Sequence, residues 1–300
     1  MSRSFIYIIN PISGTRTKKD LHSIIEQQTK AKGFSFHVFP SVASGDYSFL
    51  HPIIKEQKIT DVVIAGGDGT INQVVAGLMD RDVNFGIIPC GSGNGLANTA
   101  KISRQVSKAL HTIFNGQAEA VDGFYINNRF ACMLCGLGYD AKVAYDFANQ
   151  RKRGLAMYAK MAFTNFFSMK PYPFQFRLQH TSVDTEAWFI SIANSNQFGN
   201  NFTIAPKASI SDGLLDIVIA TSKNKLSFVL QTLQQLAGWN KLQATSLAEG
   251  KKGVIYFQTE KLVISNPSLA PLHIDGDPAE TSKELTIEIK KKCFRLIQPV

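Results

Sequence analysis

The chain has 300 residues, 44% hydrophobic and 18% charged, a globular composition that excludes a disordered tail or a fibre and is long enough for two compact domains. A formal net charge of +9 admits nucleic acid, anionic lipid headgroups or phosphorylated substrates, but no zinc-finger spacing, RRM signature or basic helix with heptads accompanies it, so no nucleic-acid partner is expected. No run of about eighteen apolar residues is present, the first residues lack the basic region, long apolar core and small-residue cleavage site expected of a secretory signal, and four scattered cysteines fit a reducing cytosol.

Apolar runs at 5–9, 34–39, 61–65 and 85–89 are short and rich in Val, Ile and Phe, as buried parallel strands are. Helical spacing links them. Leu21, Ile24, Ile25 and Ala31 mark the first helix, 46–57 the second, and Ile71, Val74, Val75 and Leu78 the third; 95–115 reads as a fourth. Repeated βα units imply a parallel sheet with right-handed crossovers and helices on both faces, an α/β domain over residues 1–122.

The pattern changes near Asp122. Phe124–Ile126, Asn127-Asn128 and Arg129–Cys132 read as a hairpin, since Asn tolerates positive φ. Segments 174–178 and 286–290 alternate strictly, and 187–193, 214–220, 253–258 and 261–265 resemble buried strands. Helices are expected over 153–168 and 223–238, the latter with Leu226, Val229, Leu230 and Leu233. Residues 123–289 are therefore expected to form a mainly antiparallel β-sandwich.

The most informative stretch is Val62–Asn72, where a buried strand runs into Gly66-Gly67-Asp68-Gly69-Thr70 and an amphipathic helix starts at once. Glycines let backbone approach a phosphate, and the helix N-terminus offers unpaired N–H groups and a positive dipole end. A carboxylate in such a cradle needs a cation between it and the phosphate, or a hydroxyl proton to take, which suggests Mg²⁺-nucleotide and an alcohol. The plainer alternative is that Asp68 or Thr70 caps the helix. Asn10-Pro11-Ile12-Ser13-Gly14 and Gly91-Ser92-Gly93-Asn94-Gly95 follow two other strands and would place small residues at the same sheet edge. Neither is a Walker A loop or a dinucleotide fingerprint.

These residues resemble the diacylglycerol kinase catalytic-domain superfamily, which includes bacterial diacylglycerol kinases, sphingosine kinases and ceramide kinases. The ordered set is Asn10–Gly14, Gly66–Thr70, Gly91–Ala97, Gly136–Ala141, Ile204–Pro206, Asp212–Asp216 and Asp275-Gly276-Asp277. Gly-Gly-Asp-Gly-Thr alone is shared with NAD kinases and phosphofructokinases. The resemblance implies ATP bound between a nucleotide domain and a β-sandwich, with residues 290–300 returning to the first domain. It implies nucleotide contacts from Asn10, Pro11, Ile12, Ser13, Gly14, Ser41 and Ser92, and from Gly66, Gly67, Asp68, Gly69, Thr70, Ile71 and Asn72. It further implies a structural Mg²⁺ near Ser209, Asp212 and the Leu214 backbone, catalytic Mg²⁺ organised by Asp68, and Asp140 at the substrate end.

Two positions depart from the family. The usual general base is the Glu of Asp-Gly-Glu, replaced here by Asp277, and Gly95 stands where bacterial diacylglycerol kinases usually carry Asp. Proton removal is assigned to Asp277 assisted by Asp68. The resulting expectation is a cytoplasmic, ATP- and Mg²⁺-dependent kinase acting on a lipid at the membrane surface, with peripheral membrane contact; a homodimer stays open. The alternatives are a soluble-substrate kinase of the NAD kinase type and a catalytically weakened nucleotide- or lipid-binding protein.

Some features carry less. Cys132 and Cys135 have metal-like spacing without a second pair, and read as buried structural cysteines. The short basic clusters 151–153, 251–252 and 290–292 read as solvated faces. His273 reads as a strand residue facing solvent or cleft. Met161–Phe174, rich in Phe with Lys160 and Lys170 nearby, reads first as a helix packed in the core and second as a membrane-docking surface.

Overall fold

The structure is a computed structural model that describes residues 3–13, 20–150, 155–178, 181–197, 203–221, 224–236 and 253–300. The chain forms two compact units, Met1–Val121 with Lys292–Val300, and Asp122–Lys291.

The first unit alternates strand and helix: β1 (Ser4–Ile9), α1 (Leu21–Ala31), β2 (Ser35–Pro40), α2 (Leu50–Glu56), β3 (Asp61–Gly66), α3 (Asp68–Leu78), β4 (Asn84–Pro89), α4 (Gly95–Thr99) and α5 (Val106–Asn115). The strands lie in the order β2-β1-β3-β4, all parallel. Phe5–Ile8 and Val62–Ala65 are fully buried, because helices cover both faces of a parallel sheet. The i, i+3, i+4, i+7 positions of α3 are its buried stripe: Ile71, Val74, Val75 and Leu78. Asp61 is buried and is held by a two-pronged ion pair from Arg3, whose guanidinium also donates to Ile113 O and Phe114 O at a helix C-terminus.

Two expected helices are shorter than their apolar pattern. An Asx turn, with Ser48 N–H donating to Asp46 at 2.9 Å, occupies the start of the 46–57 segment, so α2 begins at Leu50. The 95–115 segment breaks at Lys101, whose φ of 56° ends α4, and Ile102 N–H then closes back on Ala97 O. No Gly or Pro marks that break.

The second unit follows with β5 (Gln117–Ile126), which starts just ahead of it, β6 (Arg129–Ala131), β7 (Leu134–Gly138), α6 (Tyr139–Ala148), α7 (Leu155–Ser168), β8 (Tyr172–Leu178), β9 (Thr181–Ala187), β10 (Phe189–Ala193), β11 (Leu215–Ala220), α8 (Lys225–Leu236), β12 (Val254–Thr259), β13 (Lys261–Ser265), β14 (Leu272–Ile274), β15 (Asp277–Ala279) and β16 (Glu284–Gln298). One sheet runs β12-β11-β10-β7-β14-β15 with antiparallel neighbours. In the other, β13 lies between β8 and the start of β16, with β9 beyond β8. Phe174, Phe176, Leu262 and Ile287 from this sheet share one buried core with Leu137, Ile192, Ile217 and Phe257 from the first. The fold is thus an α/β unit and an antiparallel β-sandwich. The last residues of β16 pair parallel with β4 through Arg295 and Leu296, which places the chain's end in the first unit.

The expected strand over 187–193 is β10 preceded by the end of β9, with Trp188 N–H bonded to Ala220 O at the step. Residues 153–154, 223 and 237–238 of the two expected helices lie outside the described residues, as do the clusters 151–153 and 251–252. Lys290, Lys291 and Lys292 are exposed, Lys291 pairing with Glu260 at 2.7 Å. The core reading of Met161–Phe174 is corrected: Phe174 is buried, but Phe163 is 67% and Phe167 64% exposed. Among the described residues no helix is long and apolar enough to cross a membrane.

Candidate active site

In the first unit the turns after β1, β3 and β4 meet at the carboxyl edge of the sheet, where open α/β sheets bind ligands. Asn10 N–H donates to Ala65 O at 2.9 Å and Cys90 N–H to Gly66 O at 2.8 Å, so the sheet continues one residue past its strands. Asn10 Nδ2 donates to Thr70 Oγ1 at 2.7 Å, while Asn10 Oδ1 accepts from Ile12 N–H at 3.0 Å. One side chain therefore holds its own turn and the first turn of α3. Pro11 and Ile12 are exposed at the tip, Ser13 is half-buried, and Gly14 lies outside the described residues. Ser41 N–H donates to Ile9 O at 2.9 Å, which sets Ser41 beside the end of β1.

The N-cap of α3 is Gly67, in extended conformation and without a side-chain cap bond. The N-cap position is thus held by neither Asp68 nor Thr70, both of which stand inside the first turn of the helix. Asp68 is the first helical residue, half-buried, and the amides of Asp68, Gly69 and Thr70 are those an α-helix leaves without internal acceptors. Ile71 is buried beneath them and Asn72 half-buried. A Cβ on Gly91 would lie 2.6 Å from Gly67 Cα and one on Gly66 2.8 Å from Thr70 Cβ. The two glycine turns touch backbone to backbone. Asn94, at φ 55°, fixes the third turn by exchanging hydrogen bonds with Gly91 N–H at 2.8 Å and Gly91 O at 2.7 Å. Ser92 is half-buried within that turn.

In the second unit Gly138, at φ 89°, turns β7 into α6 and places Asp140 in the first turn of the helix. Asp140 Oδ1 accepts from Ala141 N–H at 2.8 Å, and Oδ2 lies 3.3 Å from His273 Nε2. Both residues are buried, and a Cβ on Gly136 would fall 2.0 Å from Asp140 Oδ2 and 2.5 Å from His273 Nε2. His273 thus faces a buried carboxylate, which corrects the solvent side of the expectation that it faces solvent or cleft.

Asp277 opens β15 after the two-residue turn Asp275-Gly276, both at positive φ, and is exposed. The turn is pinned. Asp275 is buried and its carboxylate accepts from Cys132, Met133 and Leu134 N–H at 2.9–3.0 Å. Sequence reasoning gave Asp275 no role. Its signal was an Asp-Gly pair between two short strands, where the type I′ turn needs positive φ. Cys132 and Cys135 are buried free thiols, and burial pushes Cys135 far up from its ordinary value.

Asp212 lies in the loop before β11, its Oδ1 accepting from Leu214 N–H at 3.1 Å, and Gly213 N–H donates to Asp122 at 2.7 Å. Burial pushes the Asp212 carboxyl up and the charge on Asp122 adds to it, against the Leu214 hydrogen bond. Asp216 is pushed up to about 6, chiefly by burial, with hydrogen bonds from Tyr256 and Gln258 opposing. Crowded carboxylates of this kind are what a hard cation relieves, and Ser209, Asp212 and the Leu214 carbonyl are the oxygen donors Mg²⁺ prefers. The donor chemistry fits Mg²⁺. Among the described residues no three His, Cys, Asp or Glu side chains are grouped to hold a metal, so water and neutral oxygens would complete the shell.

Residues 4–126 match the family described as diacylglycerol kinase catalytic domain, and residues 134–283 match the YegS C-terminal NAD kinase beta sandwich-like domain. Two such domains in this order define a kinase. The chain belongs to the family of diacylglycerol and YegS-like lipid kinases. It is 27% identical over 247 residues to the "Probable lipid kinase YegS-like" of Shewanella frigidimarina, covering 79% of this chain and 76% of that one. It is 25% identical to the diacylglycerol kinase of Bacillus subtilis, covering 90% of this chain and 88% of the relative. A crystal structure of a diacylglycerol kinase from Bacillus anthracis superimposes with a TM-score of 0.70 at 19% identity, covering 99% of this chain and 97% of that one, a likeness of fold.

Proposed function

We propose that this lipid kinase transfers the γ-phosphate of ATP to a hydroxyl group of a diacylglycerol-type or sphingoid-type lipid residing in a membrane. The observation that carries the reading is the meeting of three turns at one sheet edge, so close that Gly91 has no room for a Cβ against Gly67. Backbone amides can approach a triphosphate there as side chains cannot.

In this reading the amides of Asp68, Gly69 and Thr70 orient the phosphates, and Asn10 keeps Thr70 and its own turn in register. Mg²⁺, when bound, neutralises charge on the transferring group. Asp68 acts beside that charge, and Asp277 takes the proton of the lipid hydroxyl as it attacks in line. Asp140, fixed by His273 and by the Ala141 amide, orients the acceptor. Ser209, Asp212 and Leu214 are proposed as the structural Mg²⁺ ligands.

Asp277 reaches about 1.5 Å less than the Glu usual in this family, and the turn that carries it is pinned by Asp275, so the backbone is not free to make up the difference. The test is incubation with γ-labelled ATP, Mg²⁺ and a panel of diacylglycerol, sphingoid base, ceramide, monoacylglycerol and NAD, with the products resolved. Label in a lipid supports the reading. Label in NAD alone, or ATP binding with label in no acceptor, rejects it.

A further inference from the structure

The sheet β12-β11-β10-β7-β14-β15 turns Leu137, Ile190, Ile192, Leu272 and Ile274 into the sandwich core. Strand alternation puts Ser191, Gly136 and His273 on its other face, where the register sets them side by side on β10, β7 and β14. Helix α6 packs against β7, β14 and β15. Gly136 leaves a slot in the row, and the Asp140 carboxylate drops into it from the first turn of α6.

The contacts in this slot decide what Asp140 can still do. Its Oδ1 takes the Ala141 N–H at 2.8 Å, at the positive end of a helix of 10 residues. Its Oδ2 lies 3.3 Å from His273 Nε2, and since a carboxylate oxygen only accepts, that nitrogen is the donor. The Ser191 hydroxyl is buried without a hydrogen-bond partner, so it does not compete with His273 for Asp140. The Asp140 side chain is 10% exposed and that of His273 2%, so an acceptor reaches the carboxylate and not the imidazole.

An alcohol needs only a lone pair, and each carboxylate oxygen retains one beyond its present bond. An ammonium group needs negative charge to offset its desolvation. Here the helix end, the amide and the imidazole already lean on that charge, and ammonium N–H groups would crowd the His273 N–H at Oδ2.

We propose that His273 is a specificity-determining residue that, by occupying Asp140, turns the acceptor site away from lipids with an amine beside the hydroxyl. The acceptors it favours carry an uncharged carbonyl group there, the ester of a glycerolipid or the amide of an N-acylated sphingoid base. The inference rests on the proposed function for the presence of a lipid acceptor at Asp140 and narrows its class. His273 acts through Asp140 and is a positioning residue, and its selectivity lies in what it refuses.

The test compares three acceptors in wild type, His273→Ala and His273→Gln: a short-chain sphingoid base, its N-acetyl derivative and a short-chain diacylglycerol. The first two share one hydroxyl and differ in whether the nitrogen is charged. The wild type should show a kcat/KM at least about ten-fold higher for the better uncharged acceptor than for the free base. Either uncharged lipid in first place supports the inference and identifies the backbone. His273→Ala should lower that ratio by at least about ten-fold, the worth of a hydrogen bond to a charged group, through gain for the free base as well as loss for the other two. His273→Gln, which fills more of the space and keeps an N–H donor, should fall between. Damage to the fold would lower all three acceptors alike and leave the ratio where it was. A wild type that prefers the free base, or a ratio that both variants leave unchanged, overturns the inference. Absence of transfer to all three lipids in the wild type rejects the proposed function separately. Equilibrium dialysis of the same lipids then reads the preference as a ratio of Kd values, and tighter binding of the free base overturns the inference there too.

Discussion

Asn10 Nδ2 donates to Thr70 Oγ1 at 2.7 Å, joining the turn after β1 to the first turn of α3 across sixty residues of sequence. The same Asn10 side chain accepts from Ile12 N–H. Its amide is therefore a brace for two of the three turns that gather at the sheet edge. Asn10→Ala should raise KM for ATP by about ten-fold while costing only about 1 kcal/mol of stability, the usual worth of one or two neutral hydrogen bonds. Thr70→Val should behave alike and add little on top of Asn10→Ala. Steady-state kinetics and urea melts of the single and double variants check both statements.

Gly91→Ala asks whether the closeness of the glycine turns matters. The new Cβ would sit 2.6 Å from Gly67 Cα, a backbone contact that must open. Affinity for Mg-ATP should fall at least about ten-fold, because misplacement near 1 Å is costly at a transfer site. Calorimetric titration with a non-hydrolysable ATP analogue measures it, and undiminished affinity would remove the turns from the nucleotide site.

Asp275→Asn tests the pin beneath Asp277. The carboxylate accepts from three consecutive backbone N–H groups, and an amide in its place would present N–H to N–H. Loss of about 2–4 kcal/mol is expected, since hydrogen bonds to a buried charge are worth more than neutral ones. Urea denaturation gives the stability loss, and the accompanying fall in turnover should exceed what the folded fraction explains.

His273→Ala separates positioning from folding. His273 Nε2 lies 3.3 Å from Asp140 Oδ2, and Asp140 keeps its bond from Ala141 N–H in the variant. KM for the lipid acceptor should rise several-fold while KM for ATP stays unchanged. A variant that loses both equally would make the pair a structural contact only.

The α/β unit is legible in the sequence because buried parallel strands and amphipathic helices each carry a strong period. Ile71, Val74, Val75 and Leu78 give α3 its buried stripe directly. The break at Lys101 is hidden, since a single left-handed residue other than Gly leaves no mark in an apolar pattern. β9 is hidden too: Thr181–Ala187 is mostly polar because only one neighbour, β8, pairs with it. At the candidate site the glycine turns announce themselves, but the contacts that organise them do not. Asn10 with Thr70, Asp140 with His273, and Asp275 with the 132–134 amides join residues 60, 133 and about 140 positions apart, and no local pattern encodes such distances. The apolar residues of α7 and α8 mislead for a different reason. Helical spacing says that they share a face, and only the structure shows that the face is turned outward.

The most direct test of the account compares Asp277→Asn, Asp277→Glu and wild type in Mg-ATP binding and in single-turnover transfer of labelled phosphate to the lipid acceptor. Asp277→Asn should bind Mg-ATP like wild type and transfer at least about 10²-fold more slowly, within the usual worth of a general base, whereas Asp277→Glu should transfer as fast as wild type or faster. Near wild-type transfer by Asp277→Asn would contradict the assignment of proton removal to this carboxylate.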